Sequence, residues 1–254
     1  MPHIEIAAET LFTVYGFPVT NSLIMAFFVF AILGSVAYVI HAHSRLIPAP
    51  LQNAVEMVLE GFLGLMERIT GSRDHARRFV PIVATIFLFI LLSNWLGILP
   101  GVGSIGLIEE KDGHEQFLPL FRSAASDLNV TLALGTVAVV LINGMGVATK
   151  GFGGYFTKFF PIKRLLSFSF IGIVDFFVGI LEFISEFAKI ISFSFRLFGN
   201  IFAGEVLLVI MGFLMPYAAP LPFLGLELFV GFVQALVFAM LTVVFTSIAV
   251  AQHH

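Results

Sequence analysis

The chain has 254 residues, 59% of them hydrophobic and only 11% charged, with a mean hydropathy of +1.03. A soluble domain is closer to about a quarter charged, so the composition excludes an ordinary soluble fold and describes one polytopic membrane domain. The formal charge of −3 leaves no electrostatic footprint for nucleic acid, and the absence of Cys excludes disulfides, thiolate metal sites and cysteine nucleophiles.

Residues 1–20 carry Glu5 and Glu9 but no Lys or Arg. That is the wrong composition for a cleavable signal or transit peptide. It favours a bacterial or organelle-encoded chain whose first segment lies outside. Residues 23–43 form a first expected span, followed by His41, His43 and Arg45 at the interface. Two histidines at i and i+2 diverge on a helix and do not make joint metal ligands. Pro48 and Pro50 break the chain. Over 50–70, Leu51, Val55, Val58, Leu59, Phe62, Met66 and Ile69 recur at helical spacing, with Gln52, Asn53, Glu56, Glu60 and Glu67 opposite. This predicts an amphipathic helix at the interface or against partner helices.

Residues 79–99 are a second span, with Asn94 and Trp95 near its end. Residues 101–127 read as a polar, acidic loop, and 128–147 as a third span. Residues 150–164 read as a loop whose glycines lack the context of a phosphate-binding motif. Residues 165–215 then run without a turn signal. At about 1.5 Å per residue a continuous helix of that length far exceeds a bilayer, so it is broken or strongly tilted. Pro216, Pro220 and Pro222 make a turn, and 223–250 is a last long helix carrying Glu227 and Gln234. The expected fold is all-α. It has three simple transmembrane helices, one interfacial amphipathic helix and a C-terminal hairpin of two long tilted membrane helices.

Lys and Arg set the orientation. The segments 45–78 and 150–164 hold nine of the 13 and are expected to be cytoplasmic. The N-terminus is then outside and the C-terminus cytoplasmic, with five crossings.

The ionisable residues at depth carry the function. An arginine near the bilayer centre costs at least about 2.5–3.5 kcal/mol and marks a site by default. The alternative is a static pair that locks helices. Arg196 has no second acid within one turn on its own face. At about 100° per residue, Glu182, Lys189 and Arg196 share nearly one face, as do Ser192, Arg196 and Asn200. Glu205 lies half a turn round from Arg196 and about 13 Å along the axis. It is expected to face the last helix, where Glu227 can approach it. Arginine stays protonated, so Arg196 is a fixed charge, while glutamates can load and release protons. This combination suits ion translocation coupled to a moving acidic partner.

The run Arg196-Leu197-Phe198-Gly199-Asn200 with Ala203-Gly204-Glu205 resembles the signature of subunit a of F-type ATP synthases. Asn94 with Leu99-Pro100, Asp127-Leu128-Asn129-Val130-Thr131 and Gln234 match further motifs in the same order. The resemblance implies a non-catalytic stator subunit beside a rotating c-subunit ring, in contact with b-type peripheral stalk subunits and other subunits of the complex. It implies a bacterial inner membrane and no cofactor or metal. Arg196 would be the essential arginine facing the ring, with Asn200 and Gln234 beside it. Glu205 and Glu227 would line the inlet half-channel, and Ser192 and Glu182 the outlet. Some relatives carry His where Glu227 stands, so the order of transfer between the two glutamates stays open, as does proton against sodium. A self-contained proton-coupled secondary transporter is the competing reading, but the sequence shows no inverted repeat. A membrane scaffold would have no need of Arg196 and Glu205 at depth.

Overall fold

The computed structural model describes residues 7–44, 50–71, 73–99, 101–111, 114–159, 170–215 and 220–250. Helix α1 (Asn21–Ala42) starts at the N-cap Thr20, whose hydroxyl accepts from the Leu23 amide. Helices α2 (Pro50–Thr70), α3 (Arg73–Ile98) and α4 (Leu128–Phe159) follow. The hairpin is α5 (Phe170–Leu214) and α6 (Pro220–Val250). Among the described residues five helices, all but α2, are long and apolar enough to cross a membrane. Residues 165–169, assigned to the long helix by the sequence, lie outside the described residues, as do residues 160–164 of the expected loop 150–164.

α5 runs for 45 residues as one helix, about 67 Å at 1.5 Å per residue. The hydrocarbon core is about 30 Å thick, so an upright α5 cannot fit within it. Of the two options, broken or tilted, the unbroken helix leaves the tilted one.

The helices pack in pairs, α4 on α5, α3 on α6 and α2 on α3, with α6 also against α4 and α5. Close approach of α4 to α5 needs a missing side chain. A Cβ on Gly135 would meet the Ser194 hydroxyl and the Ile190 carbonyl. Ser194 in turn donates to the Thr131 and Ile190 carbonyls, at 3.0 and 2.7 Å. Phe193 and Phe238 pack tilted against each other across α5 and α6, at 4.7 Å between centroids. Leu197, Ile201, Ala239 and Val243 fill the buried seam.

Three segments differ from the sequence reading. The expected loop after residue 147 is helical to Phe159. Two helical stretches meet at Gly151, whose φ of +74° admits the turn. Tyr155 then packs its ring against Gly146, and Phe159 is buried. Apolar burial thus holds in helix a stretch whose glycines signalled a loop. Gln52 of α2, placed on the polar face, is buried, and its amide donates to Glu56 at 2.8 Å. α2 packs on α3 and α6 through Phe62 and Met66.

The third difference is the segment 101–127. It contains an antiparallel hairpin, β3 (Gly106–Lys111) and β4 (His114–Pro119), flanked by 3-10 turns at Val102–Ser104 and Ala124–Ser126. Residues 123–127 are buried among the helices. Another hairpin, β1 (Thr10–Val14) and β2 (Phe17–Thr20), precedes α1 and turns through Tyr15-Gly16, both at positive φ.

Candidate functional site

Two polar regions lie along α5. The first surrounds Glu205. One Glu205 carboxylate oxygen accepts from Arg122 Nε at 3.2 Å. Ser123 and Ser126 lie near this carboxylate, the Ser126 hydroxyl donating to the Ser123 carbonyl at 2.9 Å. Arg122 comes from the segment the sequence read as a loop. Its Nη1 donates to the Ala7 carbonyl at 3.2 Å, and its guanidinium lies 5.9 Å from the centre of the Phe202 ring. A cavity of about 340 Å³ opens here, lined by Glu9, Gly97, Phe121, Arg122, Phe202 and Glu205.

Glu227 sits deeper, 5% exposed, on α6. Its carboxyl lies directly over Gly204, where any Cβ would collide with it. It is close enough to Glu205 to interact electrostatically. The two glutamates that the sequence placed together do share one region, and Arg122 is the member that periodicity did not find. Glu227 Oε1, Asn94 Oδ1 and the Ser93 hydroxyl are buried polar atoms with no hydrogen-bond partner among the described residues. Buried oxygens of this kind are ordinarily satisfied by water. Asn94 also braces α3 to α6, donating to the Gly231 carbonyl at 3.2 Å, and the neighbouring Trp95 donates to Leu228 at 3.0 Å.

Surrounding side chains fix this region in place. Asp127 is buried and caps α4 by accepting from the Asn129 amide at 2.8 Å. It also accepts from the Ser22 hydroxyl at 2.6 Å, which ties the start of α4 to that of α1. Asn21 links the same corner to Glu9 at 3.3 Å.

The second region surrounds Arg196. Ser192, Arg196 and Asn200 are exposed along one flank of α5, among the exposed apolar side chains of Ile191 and Phe195. Arg196 Nη2 donates to the Ser192 hydroxyl at 3.2 Å. No carboxylate among the described residues forms an ion pair with it. Asn200 donates to the Gln234 carbonyl oxygen at 2.8 Å, which couples this flank to the buried Gln234 of α6. A groove of about 260 Å³ runs past Ser185, Lys189, Ser192, Arg196 and Phe245.

Glu182 is not on that groove. It pairs with Lys158 at the end of α4, at 2.6 Å. Lys189 does line the groove, with its ammonium 4.9 Å from the centre of the Phe245 ring and held by Glu186 at 2.7 Å. Glu186 is buried and accepts from Asn143 at 3.2 Å, while Tyr155 donates to Asn143 at 2.6 Å. Sequence spacing along α5 gave no sign of these α4 partners, of which Tyr155 and Lys158 are in place because α4 continues past Gly151. Among the described residues no cluster of His, Asp and Glu could hold a metal ion.

Residues 22–247 match the family described as ATP synthase A chain. The protein named ATP synthase subunit a in Campylobacter concisus is 36% identical over 217 residues, covering 85% of this chain and 83% of the relative. The protein of that name in Campylobacter jejuni is 35% identical over 202 residues, covering 79% and 77%. That in Campylobacter fetus is 32% identical over 212 residues, covering 83% and 82%.

Proposed function

The chain belongs to the ATP synthase A chain family and is a multi-pass, proton-translocating subunit of the ATP synthase complex; on that premise we propose that Arg196 faces a rotating ring of c subunits and that Glu205 and Glu227 deliver protons to it. The observation that carries this reading is the exposure of Arg196. Arg196 stands on its flank of α5 with Ser192 and Asn200 among exposed apolar side chains, Lys189 lies further along the same groove, and no carboxylate among the described residues pairs with Arg196. Lipid contact would leave the charge uncompensated. A moving carboxylate on a neighbouring subunit supplies the missing partner. A self-contained transporter would enclose such a charge rather than present it outward.

The distribution of Lys and Arg puts the N-terminus outside and the C-terminus in the cytoplasm. The outer ends then converge, since Glu9 just before the first hairpin, Arg122 and the Glu205 end of α5 meet around one cavity, and Ala7 holds Arg122 there. That cavity with Glu205 and Glu227 forms the inlet half-channel. The groove past Ser185, Lys189 and Ser192 forms the outlet on the cytoplasmic side, with Glu182 near its end. Asn200 and Gln234 hold the polar neighbourhood of Arg196. The membrane is the bacterial inner membrane, and b-type stalk subunits hold the chain against rotation. The subunit performs no bond chemistry of its own.

The inlet is tested by changing Glu205 and Glu227 together to Gln in the intact complex. ATP-driven proton pumping should fall at least about tenfold, on the scale of losing a proton-transfer group, while ATP hydrolysis by the detached soluble head is unchanged. Pumping at the parental rate would place the inlet elsewhere.

A further inference from the structure

We propose that Arg122 is a positioning residue of the proton inlet, holding Glu205 at the mouth of the outer cavity until that carboxylate is loaded. The inference rests on the inlet reading of Glu205. Arg122 approaches α5 from a different element and is held on three sides. Its Nε donates to Glu205, its Nη1 to the Ala7 carbonyl, and its guanidinium lies over the Phe202 ring. Phe202 is three residues before Glu205, so ring and carboxylate present one face of α5 to the same guanidinium. Both partners are largely shielded, at 15% and 24% exposed. A charge-assisted hydrogen bond in such surroundings fixes geometry better than a surface pair does.

The arrangement sorts the two glutamates by position. Glu205 lines the cavity with Glu9 and Arg122 at its mouth, while Glu227 lies buried over Gly204 with Oε1 unpartnered. A proton from the outer water that reaches Glu205 cancels the carboxylate charge and with it the attraction to Arg122. The neutral carboxyl is then free to turn and donate its proton to Glu227. The ionised carboxylate returns to Arg122, so the cation holds the empty carrier and releases the loaded one. No other species is consumed, since the same proton passes from water to Glu205 to Glu227.

The test uses the intact ATP synthase in inverted membrane vesicles. ATP-driven pumping is normalised to the amount of assembled complex and to its ATP hydrolysis. Arg122→Gln should lower pumping roughly tenfold, the scale expected when a reacting group is misplaced by a fraction of an ångström or more. Arg122→Lys keeps a donor for Glu205 and should retain pumping within about threefold of the parent. In a Glu205→Asp background, where the shortened carboxylate withdraws from the guanidinium, Arg122→Gln should cost less than about twofold. Parental pumping by Arg122→Gln, while Glu205→Gln is slow, would overturn the inference and leave the inlet reading standing. So would a tenfold loss that is equal in the parent and the Glu205→Asp background. Lysine failing as badly as glutamine at normal assembly would also overturn it, by reducing Arg122 to a brace for Ala7. Parental pumping by Glu205→Gln would instead remove the inlet reading itself, and this inference with it.

Discussion

Position 204 carries hydrogen because the carboxyl of another helix occupies the space a methyl would take. Gly204→Ala therefore separates stability from function. Alanine is a better helix former than glycine by about 0.8–1 kcal/mol, and the displaced atoms belong to the flexible end of Glu227. Thermal stability of the complex should hold or rise slightly, while pumping falls at least about tenfold, the scale of a misplaced proton-transfer group. Normal pumping by the alanine variant would mean that Glu227 need not lie over α5. At this scale the sequence was partly legible. Arg196, Ser192 and Asn200 share a flank because helical period alone puts them there, and Glu205 hydrogen-bonds away from it, to Arg122. Arg122 was not legible as a partner, since one of two basic residues scattered in an acidic segment bears no periodic mark. The one available signal was its place just before Ser123-Ala124-Ala125-Ser126, a small-residue run suited to close packing.

Helix α4 shows what element boundaries depend on. Its glycines at 151, 153 and 154 read as a loop, yet only Gly151 takes a positive φ, and the helix resumes because Tyr155 and Phe159 have apolar places to fill. The hairpin in the segment 101–127 left a faint sequence trace, an Asp-Gly pair at 112 and 113 of the kind that closes two-residue turns. Acidic composition masked it. The packing of α4 on α5 carries its own expectation. Gly135→Val would push against the Ile190 carbonyl, a backbone atom that cannot swing aside. Overpacking of this kind costs about 1–3 kcal/mol, so the complex should melt at lower temperature and yield less assembled subunit. Unchanged melting would show that α4 and α5 separate without penalty. Crosslinking in this cysteine-free chain tests the two-faced helix: cysteines at 205 and 227 should join to each other, and a cysteine at 200 should join to the ring. Efficient joining of position 205 to the ring would contradict the assignment of faces.

Across the whole molecule, function depends on what the chain leaves uncovered. Among the described residues five helices are long and apolar enough to cross a membrane, and the longest of them presents a cation outward that pairs with no described carboxylate. One cavity gathers Arg122 and Glu205, with Glu227 buried behind it over Gly204, and a separate groove runs past Lys189 and Ser192. Arg196 lies on α5 at that groove, between Ser192 and Glu205 in sequence. On the proposed reading, a proton entering by one cavity and leaving by the other would be barred from a straight path and would travel on the neighbouring subunit. The membrane potential, worth about 2.3 kcal/mol per charge per 100 mV, then acts on that detour. The most direct measurement is ATP-driven proton pumping by the assembled complex carrying Arg196→Ala. The expected result is normal assembly with pumping abolished, and only poor recovery with Arg196→Lys, whose compact ammonium does not reproduce the planar fork. Near-parental pumping by the alanine variant would contradict the account.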